Sequence, residues 1–461
     1  MKRVVIVGAG LAGITLANQL IDKFKVTLIE RGPQEGTELP EHNFLQRRFG
    51  SSNTYCYAVG GTTHLWHNGL IPLKPSSLDQ GPFSNSLIST QDKIDKAASL
   101  LQFSGSYTAE YKRSLDNYRK VSSELSLNAE LDTILIPNTS PLLKANDRVE
   151  IKSGCRVVGA TYSGECLRSV QLAYESGEEE VFPADFFIVC AGGISSPKVL
   201  NTILPQEIKS NTSKCLIDHP MGFLGKIRVK KQYQSLFDQF VNKNVGDYTS
   251  RCGIVTKSNG LKHITYFRPA ATMSNDLGVY QFKSKLGTSN LLGKIKCIFN
   301  PKILHPDILS EIFLHLTGRN ISTRTFSVWF VFEQNKKSAN DNHIILDSCS
   351  SNKISWSLSD TEKASYLEAI MDMEEKLAPY CDKLAFVKED IDSYVWSAAH
   401  HSGTVEFGSE PGTVDHNFKV NGSSNLYVCD ASIINEHGYS NTGLTIAQLT
   451  IKLSEYLKGL A

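Results

Sequence analysis

No run of about 18 or more consecutive apolar residues occurs in this chain, which argues against a membrane-spanning helix. Nor is there an excess of either charge. The 48 Lys and Arg stand against 47 Asp and Glu, so nothing global selects nucleic acid as a partner. Paired cysteines are missing as well: the ten present, from Cys56 to Cys429, are spread singly, with no C-x-x-C and no histidine tract at ligand spacing. A zinc site or disulfide framework is therefore poorly supported, and no metal is expected. Several of these cysteines lie in apolar runs, where a free thiol behaves as a small hydrophobe. A reducing, cytoplasmic setting is the simplest expectation. Only Met1, Lys2 and Arg3 precede what reads as a core strand, so a secretory signal is not expected. On that ground the Asn-x-Ser/Thr matches at Asn138, Asn211, Asn320 and Asn421 read as chance.

What remains is the composition of a soluble globular enzyme, 41% apolar and 21% charged. At 461 residues the chain exceeds one ordinary core, so two domains sharing a large interface are expected. The most specific segment comes first, RVVIVGAGLAGITLANQL. Val4 to Val7 read as a buried parallel strand ending at Gly8-x-Gly10-x-x-Gly13, and Ile14, Ala17 and Ile21 then recur at helical spacing. Gly8 allows the tight turn, Gly10 lets backbone approach a pyrophosphate, and Gly13 lets helix and strand pack closely. The helix N-terminus offers free N–H groups to phosphates. A second strand, KVTLIE, ends in Glu30, where an acid accepts hydrogen bonds from an adenosine ribose and would repel the 2′-phosphate of NADP. The competing reading is a bare glycine turn; the strand, helix, strand and acid around it argue otherwise. No second fingerprint is found. FFIVCAGGISSP (186–197) lacks the spacing, and Ala191-Gly192-Gly193 suits a backbone passing close to a cofactor already bound. One dinucleotide, FAD, is the better count.

With these residues the sequence resembles the glucose–methanol–choline (GMC) family of FAD-dependent oxidoreductases. Beyond the first fingerprint, VGGTTHLWHNG (59–69) looks like the family's loop against pyrophosphate and flavin, and ADFFIVCAGGISSPKVL (184–200) like its second signature. CLIDHPMG (215–222) is similar to its crossing between domains. AAHHSGTVEFG and NLYVCDASIINEHGYSNTGLTIAQL (425–449) are similar to its final catalytic segment. The resemblance implies an α/β fold: a Rossmann-like FAD-binding domain of glutathione-reductase type, with a discontinuous substrate domain built on an antiparallel sheet with helices. The expected pieces are 1–75, 146–221 and 395–461 for FAD, and 76–145 and 222–394 for the substrate or cap domain. It also implies cofactor contacts from Arg31, Gly60, Gly61, Thr62 and His64, from Val157 through its backbone, and from Ala191 and Gly192. Asp430, Thr442 and Leu444 complete the set.

In the family a His three residues before Gly-Thr faces the flavin, and a second His or Asn opens the last helix. Gly403-Thr404 gives His400 the first role, with His401 a bystander, and Asn441 takes the second. The chemistry is coherent. Oxidising an alcohol requires a group to take the hydroxyl proton while hydride leaves carbon for flavin N5, and histidine is largely able to do so near neutrality. Asn441 can offer an N–H to the developing alkoxide. The competing readings are a loop histidine bonded to backbone, and an asparagine that caps the helix. Three departures from the family pattern stand out: Glu406-Phe407-Gly408 replaces a basic motif, Thr442 follows Asn441 where proline is usual, and Leu65 occupies the position of a flavin-linking histidine. His64 and His67 flank Leu65, but a one-residue shift redirects a side chain, so non-covalent FAD is expected. Trp66, His67 and His401 are placed in the substrate pocket, with core packing the competing reading of Trp66.

Between these motifs, residues 146 to 190 alternate short strands with turn signals, as in an antiparallel excursion returning to the main sheet. RTFSVWFVFEQ and NHIILD read as strands of a substrate-domain sheet, and DTEKASYLEAIMDMEEKLAPY as an amphipathic helix after an Asp360-Thr361 start. QFKSKLGTSNLLGKIKCIFNPKIL (281–304) holds five lysines and no acid. A substrate-access lid with solvated lysines is preferred there over peripheral contact with an anionic membrane. The leading expectation is an FAD-dependent alcohol oxidase or dehydrogenase acting on CH–OH donors, with a sugar or polyol substrate favoured weakly and the electron acceptor (oxygen, quinone or redox protein) left open. Two alternatives are carried: a non-redox lyase of the same family, and a flavin-binding interaction protein.

Overall fold

The computed structural model describes residues 1–40, 43–44, 55–74, 81–139, 142–208, 213–288, 300–317, 323–339, 341–346 and 353–461. Its first half-molecule is a parallel sheet of five strands, in the order Leu426–Val428, Phe186–Val189, Arg3–Val7, Lys25–Ile29 and Glu150–Lys152. Arg3–Val7 pairs in register with strands on both sides, Val7 opposite both Ile29 and Val189. Val4, Val5 and Ile6 are fully buried, as a continuous apolar strand covered on both faces must be. Helix Leu11–Leu20 lies beside the last helix, Thr442–Lys458, with Gln19 Nε2 donating to Thr450 Oγ1 at 3.1 Å. Leu449, Leu453 and Leu457 of that last helix are fully buried and Ile446 nearly so, matching their helical spacing. A three-stranded antiparallel sheet, Cys155–Ser163, Cys166–Tyr174 and Glu179–Pro183, forms the excursion before Phe186–Val189.

The second half is an antiparallel sheet of eight strands. Its main path runs Lys243–Asn244, Tyr248–Ser258, Leu261–Pro269, Thr325–Val331, Pro220–Val229 and Cys381–Phe386. Glu130–Pro137 adds to Tyr248–Ser258, and Trp396–Ser397 to Pro220–Met221. Alternation divides its faces. Ile254, Phe267, Val328 and Phe330 pack under helices Tyr107–Leu125, Gln234–Phe240 and Asp360–Leu377, where each fully buried large side chain contributes about 1.5–3 kcal/mol. Val255, Ile264, Tyr266 and Val331 face the other way, onto Ile71 and Tyr439. The candidate site lies on that second side. Helix Asp360–Leu377 begins at the residue its sequence suggested, with Ser359 as the cap, its Oγ accepting from Glu362 N–H at 3.2 Å while Glu362 Oε2 accepts from Ser359 N–H at 2.8 Å. The lysine-rich segment lies outside the described residues between 289 and 299. Its first part is helical, Leu277–Thr288, and Lys283 is paired to Glu311 at 2.5 Å.

Candidate active site

Three glycine-bearing turns meet at the carboxyl ends of the parallel strands. Gly8 leaves the first strand at φ +108°, and a Cβ there would sit 2.4 Å from Cys190 O. Gly61, at φ +53°, comes so near Gly10 that its Cβ would lie 2.8 Å from the Gly10 Cα. Gly60 N–H donates to Ala9 O at 2.8 Å, tying the two turns together. In the third turn, Gly192 N–H donates to Asp430 Oδ2 at 2.8 Å. Gly13 brings helix Leu11–Leu20 onto the first turn. That helix starts without a side-chain cap or an acid in its first turn, so its leading N–H groups are left for an anion. Between the turns opens a cleft of about 1310 Å³, its mouth included, lined among others by Gly10, Glu30, Thr62, Val157, Ala191 and Thr442.

The carboxylate of Glu30 accepts from Ala9 N–H at 2.8 Å and from Gly32 N–H at 2.9 Å. Burial pushes its pKa up against these bonds. Arg31 stacks its guanidinium 4.4 Å from the Tyr57 ring centroid, and Tyr55 OH donates to Ala191 O. Asp430 lines the same cleft, but its carboxylate accepts from Gly192 N–H, Ser196 Oγ, Ser432 N–H and Ser432 Oγ. It is a clip joining the third glycine turn to the last segment. A dinucleotide fits these residues: open N–H donors for a pyrophosphate, an acid at the second strand for a ribose, and turns whose convergence only glycine permits.

Beside the cleft stands a group of four histidines around Asp218. Asp218 Oδ1 accepts from the backbone N–H of His219 at 2.7 Å and of His400 at 2.9 Å. Its Oδ2 accepts from Ser397 Oγ and lies 3.5 Å from His401 Nε2. Ala399, just before His400, holds φ +63°, a left-handed conformation costing about 1–3 kcal/mol for a residue with a Cβ. Ser397 Oγ takes Ala399 N–H at 3.0 Å and so helps to hold that turn.

Hydrogen bonding then fixes the protons on two rings. His219 Nε2 is 2.7 Å from Gly438 O, which can only accept, so Nε2 carries hydrogen. Burial drives the His219 pKa well below 6.5, with His437 and His400 adding to it, and the ring is neutral. Its Nδ1 is therefore a lone pair, 2.8 Å from His400 Nδ1, and His400 must be the donor. Burial also lowers the His400 pKa, the Asp218 carboxylate pulling up and His401 adding to the fall. A neutral His400 with its proton on Nδ1 has a bare Nε2. Asn441 is found at the start of the last helix, but it does not cap it; its Nδ2 donates to Gly69 O at 3.1 Å.

Residues 358–450, which include both His400 and Asn441, match a family model described as GMC oxidoreductase. The whole chain superposes on a pyridoxine 4-oxidase from Mesorbium loti (14% identity, TM-score 0.62, 99% of each chain covered). It superposes equally on a formate oxidase (15% identity, TM-score 0.62, 100% of this chain and 98% of that one). A formate oxidase variant from Aspergillus oryzae, studied for FAD modification, gives 16% identity and a TM-score of 0.63 over 100% and 98% of the two chains. The fold is that of the GMC oxidoreductases. No curated protein sequence matches the chain.

Within this GMC fold most of the cofactor residues singled out from sequence line the cleft, while His400 and Asn441 stand outside its lining, as do His64, Trp66, His67 and Leu444. Leu444 is fully buried in the main core and lines no part of the cleft, because the first turn of the last helix turns it inward. His64 is outside the lining too; its Nε2 sits 3.0 Å from Val59 O and closes its own loop. Trp66 packs against the last helix at Gly443, whose Cβ would meet it at 2.7 Å, which is the packing reading. His401 forms part of the cleft wall, while His400 turns its ring to His219. Asp218, His219 and His437 were missed as site residues. Asp218-His219 lies in the crossing motif and His437 in the final segment, so the signal was present without a role attached.

Proposed function

We propose that the chain binds FAD non-covalently and oxidises the CH–OH group of an alcohol, with His400 as the base and Asn441 as the partner of the substrate oxygen. Bound FAD supplies the acceptor for the hydride. The observation that carries the reading is the His219–His400 hydrogen bond, which leaves His400 neutral with Nε2 unprotonated. That nitrogen takes the hydroxyl proton as hydride leaves the same carbon. Positive charge then gathers on His400, and Asp218, fixed by His219 and His400 backbone N–H groups, is the carboxylate that offsets it. Asn441 has one amide hydrogen on Gly69 O and directs the other at the alkoxide. Sugars and polyols are the first donors to test. Oxygen is the first acceptor to test, since the similar structures include oxidases.

The decisive experiment is anaerobic bleaching of the purified protein's flavin band by a panel of sugars, polyols, aliphatic and aromatic alcohols, and NADPH. One alcohol class should bleach it. Bleaching by NADPH alone, or by nothing in a wide panel, overturns the reading.

A further inference from the structure

The face of the antiparallel sheet that looks toward the candidate site carries more cations than acids. Strand register sets Arg251 opposite Ile134, Arg268 opposite Ser327, and Tyr266 opposite Trp329. Ile134, Tyr266 and Trp329 pack with Ile71 and Tyr439, near neighbours in sequence of the Gly69–Asn441 contact. Residues directly opposite, or two apart on one strand, share a face, so Arg251 and Arg268 point to that side as well. The Arg251 guanidinium lies 5.8 Å from the Tyr266 ring centroid and 5.6 Å from that of Trp329.

The acids on this face are already engaged. Lys226, opposite Ser327, pairs with Asp307 at 2.8 Å. Arg268 and Lys283 share Glu311, at 3.1 and 2.5 Å. Asp132 takes Lys74 and the hydroxyls of Tyr111 and Tyr439. Among the described residues Arg251 meets no carboxylate within ion-pair distance; its Nε donates to the neutral Asn242 Oδ1 at 2.7 Å. Trp329 Nε1, on the same wall, is buried without an acceptor. The unmet buried Trp329 donor costs about 1–3 kcal/mol, and the half-buried Arg251 guanidinium beside it has no carboxylate, so this wall has room for an anionic acceptor. His67 marks where the wall opens. It is solvent-accessible, yet partial burial and the charges of Arg251 and Arg268 lower its pKa, which sets it beside these cations.

Resting on the reading that an alcohol is oxidised at His400, we propose that this alcohol carries an anionic group, a carboxylate or a phosphate ester, held by Arg251 with Arg268 and the Trp329 N–H beside it. The planar guanidinium fork suits either anion, and the aromatic rings beneath it keep the fork in place. A neutral polyol could accept from both donors but brings no charge to set against the guanidinium.

The test uses the FAD-loaded protein and matched alcohols: glycerol, glycerate and glycerol phosphate, and 1,4-butanediol against 4-hydroxybutyrate. Anaerobic flavin reduction should half-saturate at a concentration at least about tenfold lower for the anionic member of a set, and Arg251→Gln should abolish that preference. Arg251→Lys, which keeps the charge but not the fork, should restore part of it. Arg119→Gln, on an exposed helix face, is the control. Binding is read separately from turnover, through tryptophan fluorescence with glutarate or inorganic phosphate, which cannot be oxidised. Arg251-dependent binding of these anions without reduction by any alcohol would support the anion site and overturn the reaction. Reduction by alcohols with no anionic preference, or with both members weakened equally in Arg251→Gln, would overturn the anion site and leave the reaction standing.

Discussion

Replacing His219 tests the proton arrangement at the site more sharply than replacing His400, because it leaves the proposed base in place. His400 donates its only ring proton to His219 Nδ1 across 2.8 Å, and His219 can accept only because Gly438 O, 2.7 Å away, fixes hydrogen on its other nitrogen. Leucine at 219 can neither accept nor donate. A neutral hydrogen bond is worth about 0.5–1.5 kcal/mol net, so the population of His400 with a bare Nε2 should fall about twofold to tenfold. A partner that enforced the wrong tautomer would cost more, up to about 10⁴-fold. The limiting rate of flavin reduction in His219→Leu should therefore drop by about twofold to tenfold with half-saturation unchanged, since no substrate contact is lost. Glutamine at 219 can accept with Oε1 and donate with Nε2, and His219→Gln should recover most of the rate. Leucine also leaves Gly438 O without its donor, at about 1–3 kcal/mol, so melting temperature and bound FAD must be measured alongside. His219→Leu reducing its flavin at the wild-type rate refutes the tautomer argument. Equal losses in both variants would make His219 a packing residue instead.

His400→Ala should keep its FAD and slow flavin reduction by at least about a hundredfold in stopped-flow traces, the usual range for losing a general base. His401→Ala, in the cleft wall, should lose bound FAD measurably but slow reduction far less. Gly61→Ala, strained at φ +53° and 2.8 Å from the Gly10 Cα, should lower the flavin-to-protein absorbance ratio and cost about 1–3 kcal/mol in denaturant unfolding. In wild type the acid limb of the reduction rate should lie below pH 6.5, because burial holds the His400 pKa under that value. His263, buried against Ser365 and Tyr366 and outside the cleft lining, gives a linkage test of stability. Its pKa falls from 6.5 to about 3 on burial, so between those pH values the unfolded chain binds the proton and the folded one does not. Stability therefore declines as pH drops through that window, by about 1.4 kcal/mol per unit. His263→Gln removes this slope, and parallel pH–stability lines for the two proteins would refute the assignment.

The parts of this fold legible in sequence are those where one local rule decides. Gly8 and Gly13 had to be glycine because neighbouring backbone leaves no room, and the strand and helix around them follow from period alone. The same holds for helix Asp360–Leu377 and the last helix. Roles that depend on which of two neighbours turns inward were not legible. His400 and His401 are adjacent, and what separates them is the left-handed Ala399 and the three donors to the Asp218 carboxylate, which come from His219, Ser397 and His400. Thr442 reaches the cleft and Leu444 does not, since two residues on a helix turn a side chain by more than half a circle. The cationic wall was the least legible of all. Arg251 and Arg268 sit in unremarkable strand sequences, and only the register of Tyr248–Ser258 against Glu130–Pro137, and of Leu261–Pro269 against Thr325–Val331, sets them on one face. Slipping either pairing by one residue would send its arginine to the opposite, apolar face, where burying an unpaired guanidinium is prohibitive. The register that protects the core therefore also sets which charges this face presents.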